Sequence, residues 1–368
     1  MKSDKTKVMK AWRLEKLGGR LDLKEVPVPQ IRAGSVLVKV ENVSLVSYLR
    51  SYTEGKLPVY NPPGQEFTMG SNAIGHIQEI GQDVWHLKPG QRVVVSSHIT
   101  AGENVEDPAM ILLGITRAGD GAIPVQKDWP DGTLAEYVLV PAEAITPLDG
   151  LEQFDAAQIA AITRMVVPYG GLLKGQLAAG ETIIVNGATG SYGTTAVLLA
   201  VAMGAAKVIA AGRNEATLAA VAKAGGKRVL PVKLTGDVQT DTQALRTAAG
   251  GGAHLAFDQV GNAKDPNSTL ASLFSLRRGG RLVLMGSMTT DLPIPYTMLM
   301  INSWQIIGNF MYPPGAFARM LDLIRSGLLD ITPIQPKVFP LEQLNEAMDA
   351  AAAAGNFDNI IVNCIPKN

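Results

Sequence analysis

The sequence predicts an α/β protein of two domains, one a small β-rich barrel and the other a doubly wound parallel sheet. Three observations carry this. At 368 residues the chain is too long for one compact core and suits two. Its first part alternates apolar and polar residues over short stretches punctuated by glycine, as half-exposed strands do. From about Asp155 onward, Ala-rich helical segments alternate with apolar, β-branched runs, the pattern of parallel strands covered on both faces by helices.

The organising stretch is Glu181 to Gly193. Thr182, Ile183, Ile184 and Val185 give a buried strand. Ala188-Thr189-Gly190-Ser191-Tyr192-Gly193 then gives A-x-G-x-x-G, a variant of the Rossmann dinucleotide-binding fingerprint. Gly190 lets backbone approach a pyrophosphate, Gly193 lets the helix pack close to its strand, and the helix N-terminus offers free N–H groups to the anion. An apolar helix (Ala196 to Ala202) stops at Gly204, and a second strand, Lys207 to Gly212, completes a βαβ unit. After that strand an NAD site ordinarily places Asp or Glu against the ribose hydroxyls. This chain has Gly212-Arg213-Asn214, and Arg213 can hold a 2′-phosphate in a charge-assisted fork. The reading is NADP(H); the alternative is that Arg213 is a solvated residue opening the next helix. Val260, Gly261, Gly286 and Ser287 fall at strand C-terminal ends, where such a sheet puts the nicotinamide half. Asp258, closing an apolar strand, reads as a structural acceptor.

Residues 8–45 form strands with turns at Gly18-Gly19 and Ala33-Gly34, and 70–95 continue the barrel. Residues 96–131 show no clear periodicity and read as a long loop, before strand resumes over 132–141. Further strands are expected at 228–232, 254–260, 281–286 and 305–310. Helices follow at 316–326 and 341–353, with a closing strand at 359–362. The zero net charge and lack of a basic block argue against nucleic acid as a main partner. The charged N-terminus is followed by no leader-like apolar segment, and no uninterrupted apolar run approaches the about 20 residues that span a bilayer, so a cytoplasmic location is expected. One cysteine, Cys364, permits neither an internal disulfide nor a cysteine metal cluster.

The order of these pieces resembles the medium-chain dehydrogenase/reductase superfamily over nearly the whole chain. The landmarks are the glycine-spaced segment 70–75, Lys88-Pro89-Gly90-Gln91-Arg92-Val93, Gly132-Thr133-Leu134-Ala135-Glu136-Tyr137, the A-x-G-x-x-G unit, Gly279-Gly280-Arg281-Leu282-Val283 and Phe339-Pro340-Leu341. The resemblance implies a GroES-like catalytic domain split around a Rossmann domain, with pieces at 1–159, 160–307 and 308–368. It also implies a homodimer through the edge of the parallel sheet, near Leu292 to Met300 and the strand at Gln305.

Zinc-dependent members carry a Cys in the segment matching Val43-Ser44-Leu45, Gly-His-Glu where this chain has Gly70-Ser71-Asn72, and a further Cys at the place of Thr163. Four more cysteines are missing from the 96–131 segment. No ligand set for a tetrahedral zinc remains, and no metal is expected. His76 falls past the motif, and His86, His98 and His254 lack partners at metal spacing. The run Val43 to Arg50 is similar instead to the zinc-free quinone oxidoreductases and alkenal or prostaglandin reductases, matching their Tyr and Arg but not their Asp and Pro.

Hydride arriving at the substrate leaves charge on its oxygen, which a hydroxyl can stabilise when no metal does. Tyr48 is the candidate donor, with Ser44 and Thr163, and also Ser47, Ser71 and Asn72, in support. The competing reading is that Tyr48 only packs. Arg50 reads as a surface ion. Three functions follow: an NADPH-dependent reductase of quinones or α,β-unsaturated carbonyls, which is the leading expectation; a zinc-independent alcohol dehydrogenase or carbonyl reductase; and a non-enzymatic NADPH-binding protein.

Overall fold

The computed structural model describes residues 7–102, 105–261 and 263–366. The charged N-terminal residues 1–6 lie outside this range. Two compact units emerge: Met1–Arg164 with Ile334–Ala354 and Asn359–Asn368, and Met165–Pro333 with Gly355–Asp358. The expected breaks at 159/160 and 307/308 therefore move to 164/165 and 333/334. The helix after Gly315 belongs to the second unit, because a close approach fastens it there. A Cβ on Gly170 would lie 2.4 Å from the Met311 carbonyl oxygen, so that helix and the segment after the last parallel strand pack without a side chain between them.

In chain order the first unit holds β1 (Val8–Leu14), β2 (Leu21–Pro27), β3 (Ser35–Ser44), α1 (Leu49–Thr53), β4 (Phe67–Thr68), β5 (Ala73–Ile80) and β6 (Arg92–Val95). It continues through β7 (His98–Ala101), β8 (Ala109–Leu112), β9 (Thr116–Ala118), α2 (Ile123–Asp128), β10 (Tyr137–Pro141), β11 (Ile145–Pro147) and α3 (Ala156–Ile162). The second unit holds α4 (Val166–Lys174), β12 (Thr182–Asn186), α5 (Ser191–Ala202), β13 (Lys207–Gly212), α6 (Glu215–Gly225), β14 (Val229–Lys233) and α7 (Val238–Ala249). Next come β15 (Ala253–Asp258), α8 (Asn267–Phe274), β16 (Leu276–Leu284), α9 (Tyr296–Asn302), β17 (Gln305–Gly308) and α10 (Ala316–Arg325). The chain closes with β18 (Gln335–Pro340), α11 (Leu344–Ala353) and β19 (Asp358–Asn363).

The first unit is built on β3, which pairs antiparallel with β5, β10 and β19. Its sheet runs β11-β6-β5-β3-β19-β18, with β10 also on β3, and a smaller sheet runs β2-β1-β4. Val36, Val38 and Val40 are buried as their alternation predicts. The neighbouring β3 residues Leu37 and Val43 are buried too, so this central strand is covered on both faces.

The 96–131 segment is not the loop expected. Strands β7, β8 and β9 form an antiparallel sheet, followed by α2. Each strand spans only three or four residues, too few for alternation to stand out from the sequence. Burial of Ile99, Ile111, Leu113 and Ile115 gives this lobe its own apolar filling. Polar bonds tie it to the rest of the unit: Tyr52 Oη donates to Ile115 O (2.6 Å), and Asn61 N donates to Thr116 Oγ1 (2.8 Å).

The second unit is a parallel sheet in the order β14-β13-β12-β15-β16-β17. The direction of winding switches between β12 and β15, which in an open α/β sheet marks the ligand crevice. Ile183, Ile184 and Val185 are fully buried, and α5 is buried along most of its length, as two-sided cover requires. On α7, Asp237 caps the N-terminus by accepting from Thr240 N (2.8 Å), and left-handed Gly250 ends it. Its apolar stripe, Leu245 and Ala249, packs with Ile184, Ile209 and Leu273.

The helical run Ala156–Lys174 is long and apolar enough, by length and composition only, to cross a bilayer, but Gln158, Thr163 and Arg164 interrupt it, in keeping with the sequence expectation, and 72% of its most apolar 18 residues are buried inside the protein. It is a core helix by that burial.

If apolar packing holds the β7–β9 lobe, Ile111→Ala removes a fully buried side chain and destabilises by about 2–5 kcal/mol. Thermal unfolding with and without excess chelator checks this. The midpoint falls for the variant and does not move with chelator, whereas a comparable fall on chelation would mean that a metal holds the lobe.

Candidate active site

The cofactor cradle assembles in the second unit at the C-terminal ends of β12, β15 and β16. Asn186-Gly187 ends β12 in a turn with Gly187 left-handed (φ 80°), a residue that the fingerprint reading passed over although Asn-Gly is a strong turn pair. A Cβ on Gly193 would lie 2.0 Å from Gly187 O, so glycine there lets α5 begin directly against the turn. Gly190, at the N-cap, meets nothing closer than 3.4 Å and supplies no side-chain cap. The open side of that turn and the first-turn amides of α5 suit a pyrophosphate. Ser191 Oγ and Gln259 Nε2, both buried atoms, find no hydrogen-bond partner among the described residues, which further fits a polar ligand here.

The neighbouring strand ends close in by the same means. Gly286 sits where a Cβ would be 2.1 Å from Val260 O, and Val260 N donates to Asp258 Oδ1 (2.9 Å). Asp258 is buried and also accepts from Thr269 Oγ1 (2.5 Å) and Asn186 Nδ2 (3.3 Å). Burial pushes its carboxyl above the usual carboxylate range, and the three donors pull it back. Its place is structural, as expected. Ser287 is exposed beside Gly286.

At the far end of the cradle, Ala188 N donates to Ala211 O (2.9 Å), joining the glycine turn to β13. A Cβ on Gly212 would meet Thr189 Cγ2 at 2.6 Å, so these two residues pack directly. Arg213 is exposed and makes no ion pair among the described residues. Asn214, beside it in the segment read for the cofactor, caps α6: its Oδ1 accepts from Thr217 N (3.0 Å). Tyr192 is half-buried in the first turn of α5.

In the first unit the chemistry-bearing residues around α1 and β5 separate into two groups. Ser44, Asn72 and Thr163, all buried, and half-buried Ser71 form one network. Ser44 Oγ donates to Asn359 Oδ1 (3.1 Å), and Ser71 Oγ donates to Ser44 O. Asn72 Nδ2 donates to Thr163 O (3.0 Å), while its Oδ1 accepts from Ser97 N and Ser97 Oγ (both 2.9 Å). Thr163 Oγ1 donates back to Ala160 O (2.7 Å) within its own helix. Ser44 and Thr163 are thus committed to the framework rather than offered to a substrate, which corrects their place as supporting donors.

Tyr48 stands apart. It is half-buried at the N-terminus of α1, with its ring 5.7 Å from that of Tyr60. Arg50, two residues on, is held by α11: Nε pairs with Asp349 (2.8 Å), and the guanidinium reaches Asn345 Oδ1 and O. It is the surface ion expected. Tyr60 was not singled out in the sequence, because it lies in an irregular proline-containing segment with no periodic signal.

The residues present do not fit a catalytic zinc. At the places where the resemblance would put zinc ligands, this chain has hydroxyl and amide groups already bonded to backbone carbonyls, Asn359 and Ser97. Among the described residues, no three His, Cys, Asp or Glu side chains are grouped to hold a metal. His76 is exposed, and Nδ1 of His254 accepts from Thr182 N (3.1 Å).

Comparison with known proteins agrees with the architecture. The alcohol dehydrogenase GroES-like domain family matches residues 32–150, and the zinc-binding dehydrogenase family matches residues 192–326. An NAD-dependent alcohol dehydrogenase of Sulfurisphaera tokodaii is 28% identical over 93% of this chain and 96% of its own length. The sorbitol dehydrogenase of Bacillus subtilis is 26% identical over 90% of each. In fold, the chain matches 2R,3R-butanediol dehydrogenase from Bacillus subtilis with a TM-score of 0.78 at 22% identity, covering 98% of this chain and all of that one. These relatives are alcohol and polyol dehydrogenases, so the leading expectation of a quinone or enone reductase gives way to its alternative. The non-enzymatic reading falls as well. The glycine cradle, the split first unit and both family matches make this chain a nicotinamide-dependent oxidoreductase of the medium-chain dehydrogenase/reductase superfamily.

Proposed function

We propose that the protein interconverts alcohols and carbonyl compounds with NADP(H), and that a tyrosine hydroxyl rather than a metal ion acts at the substrate oxygen. The observation that carries this is the hydrogen-bonded set Ser44, Ser71, Asn72 and Thr163, whose donor atoms are hard, neutral and already satisfied. The alcohol and sorbitol dehydrogenase relatives support the substrate class.

A bound nicotinamide supplies hydride to, or takes it from, the substrate carbon. As hydride arrives, negative charge grows on the oxygen of that carbon. A phenol with an ordinary pKa near 10 stays protonated at neutral pH, and Tyr48 donates its hydrogen bond and then its proton to that oxygen. The first-turn amides of α5 hold the pyrophosphate, and Arg213 holds the 2′-phosphate.

A second reading, reduction of a quinone or of a carbon–carbon double bond conjugated to a carbonyl, draws on the Tyr48–Arg50 spacing shared with zinc-free reductases. The engagement of Arg50 with Asp349 and Asn345 weakens it. Product analysis with an enone separates the two. Allylic alcohol is the expected product, and a saturated ketone would establish the second reading.

Cofactor choice is the next point, because the Sulfurisphaera relative is named NAD-dependent. Loss of a charged fork from a 2′-phosphate costs on the order of 1.5–3 kcal/mol, about a 10- to 150-fold change. Arg213→Ala is therefore expected to lower the NADPH-to-NADH ratio of kcat/KM by that factor. An unchanged ratio would return Arg213 to the role of a solvated helix-opening residue.

We further propose that the protein is a homodimer. β17 is the edge of the parallel sheet, and Tyr296, Met300, Ile301 and Phe310 beside it are exposed. Light scattering at micromolar concentration should give twice the mass of the 38.9 kDa chain; a monomer would remove the claim.

A further inference from the structure

Between α1 and β4 the chain runs through an irregular segment whose backbone is nevertheless fixed. Asn61 N donates to Thr116 Oγ1 (2.8 Å), and its carbonyl accepts from Arg117 N (3.1 Å) and Gln126 Nε2 (2.9 Å). All three partners belong to the β7–β9 lobe and α2. The residue before Asn61 is Tyr60. Its ring packs edge-on against buried Tyr52 (5.5 Å, 75°), whose own hydroxyl is bonded to Ile115 of the same lobe (2.6 Å). Its other neighbour is Tyr48, with ring centroids 5.7 Å apart and a tilt of 31°. An irregular segment anchored this firmly is holding a particular group in place, and that group touches the candidate donor.

We propose that Tyr60 is the positioning residue for Tyr48, the two hydroxyls forming one hydrogen-bonded donor for the substrate oxygen, and that the β7–β9 lobe serves to hold Tyr60 there. This rests on the role given to Tyr48 above. In the reductive direction, the Tyr48 O–H bond breaks as the substrate O–H bond forms, and the phenolate left on Tyr48 accepts from Tyr60 O–H until water reprotonates it. The bond between the hydroxyls strengthens as Tyr48 gains charge, which is when the reaction needs it. Burial pushes the Tyr60 phenol above its ordinary range, so Tyr60 keeps its proton at neutral pH. Tyr48 and Tyr52 are the titratable groups that act with Tyr60; the Tyr52 phenol is itself raised by burial, with Tyr60 adding to the shift.

Two readouts on the full chain test the pair, each with Tyr60→Phe, Tyr48→Phe and the double variant. Without substrate, ring-carbon NMR titration of 13Cζ-labelled tyrosine should show the Tyr48 phenol moving upward in Tyr60→Phe. In turnover, Tyr60→Phe should lower kcat about tenfold with the KM for NADPH unchanged, and the double variant should be no slower than Tyr48→Phe alone. An unmoved Tyr48 titration together with additive losses in kcat would overturn the pairing while leaving the Tyr48 reading intact. Wild-type turnover in Tyr48→Phe, with the NMR coupling present, would instead overturn that reading and with it the catalytic purpose of the pair.

Discussion

The nucleotide unit depends on one constraint, that backbone lies against backbone where β12, β15 and β16 end. Gly193 touches the Gly187 carbonyl and Gly286 touches the Val260 carbonyl, with no room for a methyl group at either point. This closeness brings the start of α5 to the end of β12 and leaves its unsatisfied amides facing the turn. The parallel order of the sheet places the turn at the switch between β12 and β15, and the buried Asp258 locks the ends of β12 and β15 together through Asn186, Thr269 and Val260. A methyl group at either glycine would move the helix or the strand end, and the cradle with it.

The catalytic unit answers a different problem. The positions at which the family resemblance would place zinc ligands are held here by bonds to backbone carbonyls, Asn359 and Ser97. Asn72 is the hub, bonding to Thr163 from one end of its amide and to Ser97 from the other, so protein groups brace β5, the start of the β7–β9 lobe and the end of α3. Ser44 reaches Asn359 at the returning strand and closes the brace on the other side. A network in which every member has a partner holds its geometry well, but it leaves few polar atoms for a substrate.

Much of this was legible in the sequence, and the failures have physical causes. The parallel sheet was readable because strands buried on both faces are continuous apolar runs, and because a glycine turn between strand and helix has a fixed spacing. The fate of α10 was not readable, because a helix amphipathic on one side does not say which domain its apolar face covers; the contact of Gly170 with Met311 decides that. The β7–β9 lobe escaped because its strands are too short to show a period. Asn214 belongs to the Gly212-Arg213-Asn214 segment read for the cofactor, and its second use as the cap of α6 shows only in its bond from the Thr217 amide. Ser44 and Thr163 carried the right position but not the right availability, since their partners Asn359 and Ala160 are fixed by tertiary and helical geometry. Tyr60 was invisible because what fixes it is a set of bonds to residues more than fifty positions away.

We propose that this oxidoreductase acts on the substrate oxygen with a hydroxyl rather than a metal ion. The most direct measurement is the initial rate of NADPH oxidation with a panel of aldehydes and ketones, using protein dialysed against chelator and then assayed for bound metal. The rate should be unchanged at substoichiometric metal and should not increase when zinc is added back. Loss of turnover on chelation, restored by one equivalent of zinc per chain, would contradict it.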